Sequence, residues 1–97
     1  MAAHMKKEQH AYRRGRDVIP VAQLYAILDR EFRGRRPRAC TTCSVPLPYW
    51  RKPPDDVSAN WFIGTPRECE HGCDAVIAEV LAHLWTRYDV DRTPTLP

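Results

Sequence analysis

Ninety-seven residues, 43% hydrophobic and 28% charged, suit one small globular domain, and no apolar run is long enough to span a bilayer. The net charge of +3 is unevenly spread: residues 1–38 carry ten Lys/Arg against four Asp/Glu, and residues 39–97 carry five against eight. A basic part on an acidic body favours polyanionic partners, although basic termini also serve solubility alone.

Residues 1–17 read as a polar, basic arm without periodicity, expected to be disordered. Residues 1–4 have the look of a cloning remnant ending at His4-Met5 and carry no argument. The basic residues have no apolar stretch behind them, so the segment is no secretory signal and the expected location is cytoplasmic. In that compartment four cysteines suggest metal before disulfide.

Val21, Leu24, Ile27, Leu28 and Phe32 then recur on one face of a helix predicted over about 18–33. Asp17 is its expected cap, Pro20 lies in its first turn, and Gly34 is its left-handed terminator. Arg35, Arg36 and Arg38 lead into Cys40-Thr-Thr-Cys43. From Val45 to Trp50 apolar residues alternate with Pro46 and Pro48, whose nitrogens carry no hydrogen, so this is an edge strand. If Leu47 and Tyr49 face the core, Trp50 faces outward. Lys52-Pro53-Pro54-Asp55-Asp56 is turn chemistry, and Asn60–Gly64 is the returning strand.

Thr65-Pro66-Arg67-Glu68 has the form of a helix start, and an apolar face recurs from Cys69 to Tyr88. Gly72 interrupts it, at a cost of about 1 kcal/mol in a helix interior. The helix therefore begins near Thr65, or else near Cys73 behind a capped turn. The domain is expected to span 18–88, with 89–97 a flexible tail.

A Cys-x2-Cys turn brings two sulfurs to one tetrahedral ion, and Cys69-x3-Cys73 supplies two more on one helix face. The first-ranked ligand set is Cys40, Cys43, Cys69 and Cys73, with His71 the alternative for one place. One structural zinc per chain is the expected cofactor. Buried, reduced thiols would account for Cys69 and Cys73, but poorly for Cys40 and Cys43 between arginines and prolines. A Cys-x2-Cys knuckle, a hairpin and a helix returning two ligands resembles the treble-clef group of zinc fingers over residues 40–88. That group spaces its second pair three apart, not four. The resemblance implies an α+β fold and a metal, and little about function.

Enzyme motifs are missing. A zinc deaminase needs His-x-Glu, but His4 and His10 are followed two residues on by Lys6 and Tyr12. There is no HExxH, phosphate loop or nucleophile elbow, and four protein ligands leave a zinc no open position. The expectation is a small zinc domain with a binding role. Nucleic acid is the preferred partner, met by Lys6, Lys7, Arg13, Arg14, Arg16, Arg35, Arg36 and Arg38, with Trp50 stacking on a base. The alternatives are a protein-interaction module and a thiol-disulfide redox protein using Cys40 and Cys43. No membrane or small-molecule partner is expected.

Overall fold

The computed structural model describes residues 12, 13 and 15–91. The elements in order are β1 (Tyr12–Arg13), β2 (Arg16–Ile19), α1 (Val21–Arg35), β3 (Pro48–Trp50), β4 (Trp61–Ile63), α2 (Cys73–Trp85) and β5 (Tyr88–Val90). The fold is α+β, as expected, with two helices, a central hairpin and a second, unforeseen sheet among the described residues.

Prolines set both ends of α1. The residue before a proline is pushed out of the helical region, so Ile19 stays extended and ends β2 rather than opening the helix. Pro20 is the cap, with ψ 150°, and its carbonyl accepts the first helical bond from Leu24 N–H at 3.0 Å. Asp17 therefore does not cap the helix; it belongs to β2. At the far end Arg36, before Pro37, leaves the helix at ψ 136°. Gly34 lies inside the last turn without a positive φ, so the predicted left-handed terminator is not used. Leu24, Leu28 and Phe32 are the buried stripe.

The hairpin forms as expected, β3 antiparallel to β4 with Tyr49 opposite Phe62 and Trp50 opposite Trp61. Its faces are the reverse of the expectation for β3. Leu47 and Tyr49 are 67% and 46% exposed, whereas Pro48 is buried and Trp50 packs against the core. Trp61 and Ile63 fix the inner face, and residues directly opposite share a face, so Trp50 must turn inward with Trp61.

The final helix starts at Cys73, the second of the two expected positions. Residues 65–69 are irregular, and Gly72 N–H closes a turn on the Cys69 carbonyl at 3.1 Å. Gly72 has φ +89°, a left-handed conformation that bends the chain just before the helix. Ile77, Val80 and Leu84 are its buried stripe. It ends at Trp85 rather than near Tyr88.

Tyr88–Val90 then pairs in parallel with β2, Val18 opposite Asp89 and Ile19 opposite Val90. This sheet has the order β1-β2-β5, and Gly15 at φ +81° turns β1 into β2. The fold therefore reaches beyond 18–88 at both ends: Arg16 is buried in the supposed arm, and Asp89 and Val90 in the supposed tail. Residues 1–11, 14 and 92–97 of those segments lie outside the described residues. No described helix is long and apolar enough to cross a membrane.

Side chains join the two sheets. Asn60 Nδ2 donates to the Val90 carbonyl at 2.9 Å, and Val90 N–H donates to Asn60 Oδ1 at 2.7 Å, so an amide side chain stands in for a neighbouring strand. Asn60 N–H donates to Asp89 Oδ1 at 3.0 Å. Trp61 Nε1 donates to the Tyr88 carbonyl at 2.8 Å, and Trp85 Nε1 to the Trp61 carbonyl at 2.7 Å.

Candidate metal centre

Two separate turns deliver the four cysteines. The chain leaves α1 at Arg36, and Cys40 N–H donates to the Pro37 carbonyl at 3.0 Å, opening the Cys40–Cys43 knuckle. Arg36 donates from a guanidinium nitrogen to the Cys43 carbonyl at 3.2 Å and ties the knuckle to the end of α1. The second pair comes from the Cys69 turn and the first residue of α2. Contrary to the expectation from their spacing, Cys69 and Cys73 thus do not share a helix face; Gly72 lies between them and brings Cys69 in from outside the helix.

The four sulfurs lie within 4.8 Å of one another, with Cys40 Sγ and Cys69 Sγ 3.9 Å apart. Four sulfurs held about 2.3 Å from a tetrahedral zinc stand about 3.8 Å from each other, so the cluster has the size of such a shell. All four are free thiols, Cys40, Cys43 and Cys73 buried and Cys69 half-buried.

Each pair divides its electrostatics in the same way. Cys40 is lowered to about 6 from 9.0, first by the Thr42 N–H and then by the Cys43 N–H. Cys69 is also lowered, first by the Cys73 N–H and then by that of His71. Backbone dipoles aimed at these leading sulfurs favour the thiolate that a metal needs. The trailing cysteines shift the other way. Hydrogen bonding with the Cys40 thiol raises Cys43 most, and burial raises Cys73 most. Four crowded sulfurs cannot all ionise without a cation between them; a divalent ion removes that conflict.

His71 is outside the four-sulfur cluster. It is exposed, with Nε2 3.9 Å from Glu70 Oε1, on the rim of an open cleft of about 670 Å³ over the centre.

Among the described residues, the arginines expected to meet phosphates have differing surroundings. Arg16 is 8% exposed and points inward, Nε donating to the Trp85 carbonyl at 2.8 Å and a terminal nitrogen to the Val57 carbonyl at 2.6 Å. It is a structural cation, not a surface contact. Arg36 serves the knuckle, Arg35 lies 3.6 Å from Glu31, and Arg38 is exposed. Arg13 is placed by its backbone in β1, and Lys6, Lys7 and Arg14 lie outside the described residues. Trp50, turned toward the core, is not the outward-facing aromatic of β3; Tyr49 is.

Asn60, Asp89 and Arg16 have internal roles that went unread. The one sequence signal for Asp89 was its place between Tyr88 and Val90, an apolar-polar alternation short enough to pass for a tail.

No protein-family model, curated protein or solved structure matches the chain.

Proposed function

We propose that the four thiolates hold one structural zinc, and that the domain it fastens works by binding a partner protein rather than by catalysing a reaction. The observation that carries the metal reading is the buried cluster of Cys40, Cys43, Cys69 and Cys73, all within 4.8 Å. Four protein sulfurs close a tetrahedral shell and leave no position for water or substrate, which supports a structural ion. The order of knuckle, hairpin, then a helix opening on the last ligand supports the likeness to treble-clef zinc fingers. Zinc suits all-thiolate tetrahedral coordination, and the ion would neutralise sulfurs that otherwise repel one another.

Protein is favoured over nucleic acid by how the charges are used. Arg16 and Arg36 donate to backbone carbonyls, while Leu47 and Tyr49 stand exposed on the hairpin. An aromatic and aliphatic surface beside scattered charge suits a protein interface better than a phosphate track.

Metal analysis of the purified chain tests the first part. One zinc per chain is expected, and cobalt substitution should give the intense sulfur-to-metal absorption of tetrahedral thiolate. His71→Ala should retain the metal and Cys73→Ser should lose it; a folded, metal-free protein with four titratable thiols overturns the reading. Binding to DNA or RNA that weakens with salt by about 0.7–0.9 per contact on a log–log plot would return the partner to nucleic acid.

A further inference from the structure

The four sulfurs of the cluster are not equally protected. Cys40, Cys43 and Cys73 are buried, whereas Cys69 is only half-buried. The open cleft of about 670 Å³ over the centre is walled in part by Cys40, Cys43 and Cys69, while Cys73, at the head of α2, stays behind them. Arg67, His71 and Asp74 also line it, so the approach is polar and admits small water-borne solutes. Burial keeps a structural thiolate inert, and at Cys69 that protection is incomplete.

Cys69 also has a sulfur within reach on the other turn. Cys40 Sγ lies 3.9 Å from Cys69 Sγ. A disulfide needs about 2.05 Å, so the two must approach by roughly 1.9 Å. Both are on segments that can give by that much. Cys40 follows a turn closed by its own N–H on the Pro37 carbonyl, and Cys69 ends the irregular stretch before the Gly72 bend. Neither belongs to a helix or a strand. The other two cysteines are held more firmly, Cys73 as the first residue of α2 and Cys43 through its carbonyl, which accepts from the Arg36 guanidinium.

We propose that the centre is a peroxide-responsive fastening: hydrogen peroxide entering the cleft oxidises Cys69, Cys40 resolves the product as a disulfide between the two turns, and the metal is released. The inference rests on the reading of the cluster as a structural zinc site and names its regulation. In the first step the Cys69 thiolate attacks one peroxide oxygen; an S–O bond forms, the O–O bond breaks and hydroxide leaves. Cys69 is then a sulfenic acid. In the second step the Cys40 thiolate attacks the Cys69 sulfur; the S–S bond forms, the S–O bond breaks and a second hydroxide leaves. The two sulfurs together give up two electrons, and hydrogen peroxide accepts both. Cys43 and Cys73 remain as thiolates, two ligands where a structural zinc takes four. A redox-sensing cysteine is accessible and stands beside a resolving one, and Cys69 with Cys40 meets both conditions.

The test treats the zinc-loaded chain with hydrogen peroxide and follows zinc release with a metallochromic dye, alongside the intact mass. One zinc should appear for each disulfide formed, and dithiothreitol with added zinc should reverse both changes. Trypsin leaves Cys40 and Cys43 in the peptide 39–51 and Cys69 and Cys73 in the peptide 68–87. The expected bridge therefore joins two peptides, and fragmentation should place it between Cys40 and Cys69. Cys69→His keeps a zinc-ligating side chain but removes the attacking sulfur, so release should slow at least about tenfold. Cys73→His leaves the reactive pair in place and should release zinc as fast as the unaltered chain. The mapped bridge of the unaltered chain decides the matter even if neither variant folds. A bridge between any other pair, a sulfinic acid at Cys69 as the main product, or zinc retained under peroxide overturns the proposal. Zinc content before oxidation separates the two readings: a chain without zinc sinks the metal reading and this one with it, whereas a zinc-loaded chain that resists peroxide sinks this inference alone.

Discussion

Single residues in this protein differ widely in what they contribute, and the difference follows burial. Asn60 is 8% exposed and its amide satisfies both backbone groups of Val90. Asn60→Ala leaves a buried N–H and a buried C=O without partners, each costing about 1–3 kcal/mol. Urea unfolding should therefore show a large loss. Arg33 pairs with Asp29 at 3.0 Å, but its side chain is 64% exposed, and an exposed pair four residues apart contributes about 0.3–0.5 kcal/mol. Arg33→Ala should lower the urea midpoint only slightly. If the two variants unfolded alike, the side-chain bridge between β4 and β5 would not be the fastening described. Arg16 belongs with Asn60: a buried guanidinium that donates to the Trp85 and Val57 carbonyls binds the start of the fold to its end.

At the scale of elements, what was legible in the sequence was local. The i, i+3, i+4 stripes gave both described helices, the cysteine spacings gave the four-sulfur cluster, and the alternation around Pro46 and Pro48 gave the hairpin. What was hidden was set by distant pairing. β2 and β5 are three or four residues long and are strands because each lies beside the other, some seventy residues away in sequence. Val18 and Ile19 alone fit a helix as well as a strand, and only Pro20 argues against it. Trp50 was misread for a related reason: alternation says that neighbours face opposite ways, not which way is in. The two interrupting glycines also looked alike in sequence and differ in the fold. Gly34 is in ordinary helical conformation with open space where a Cβ would stand, so Gly34→Ala should stabilise by up to about 1 kcal/mol. Gly72 has the same open space but φ +89°, where a Cβ costs about 1–2 kcal/mol. Gly72→Ala should lower the midpoint and weaken zinc binding in a competitive chelator titration, because this bend brings Cys69 to the cluster. Thermal unfolding of the pair in opposite directions is the expected result; equal shifts would contradict the assigned bend.

For the whole molecule, two fastenings lie at opposite ends of α2. Its first residue, Cys73, belongs to the four-cysteine cluster, and its last, Trp85, is hydrogen-bonded to β4 and to Arg16. Thirteen residues at about 1.5 Å each separate them by about 20 Å. The buried core runs unbroken between them, from Cys40, Cys43 and Cys73 through Phe32, Ile77 and Trp61 to Val90. Magnitude decides whether the far end survives loss of the metal. Structural zinc contributes an apparent 10–16 kcal/mol or so, roughly the whole stability of a typical domain, about 5–15 kcal/mol. With one continuous core and a metal term of that size, the chain should unfold as a unit when zinc is removed, not fray at the knuckle alone. Addition of a strong chelator should therefore abolish the near-ultraviolet signal of Trp61 and Trp85, distant from the cysteines, together with the far-ultraviolet helical signal. Acid should act in the same direction, since protons compete with the ion for the four sulfurs. Restoring zinc at neutral pH under reducing conditions should recover both signals in one step. Survival of the tryptophan signal in fully metal-free protein would mean that β2, β5 and the Asn60 bridge hold their end unaided, and that the zinc organises only the cysteine turns.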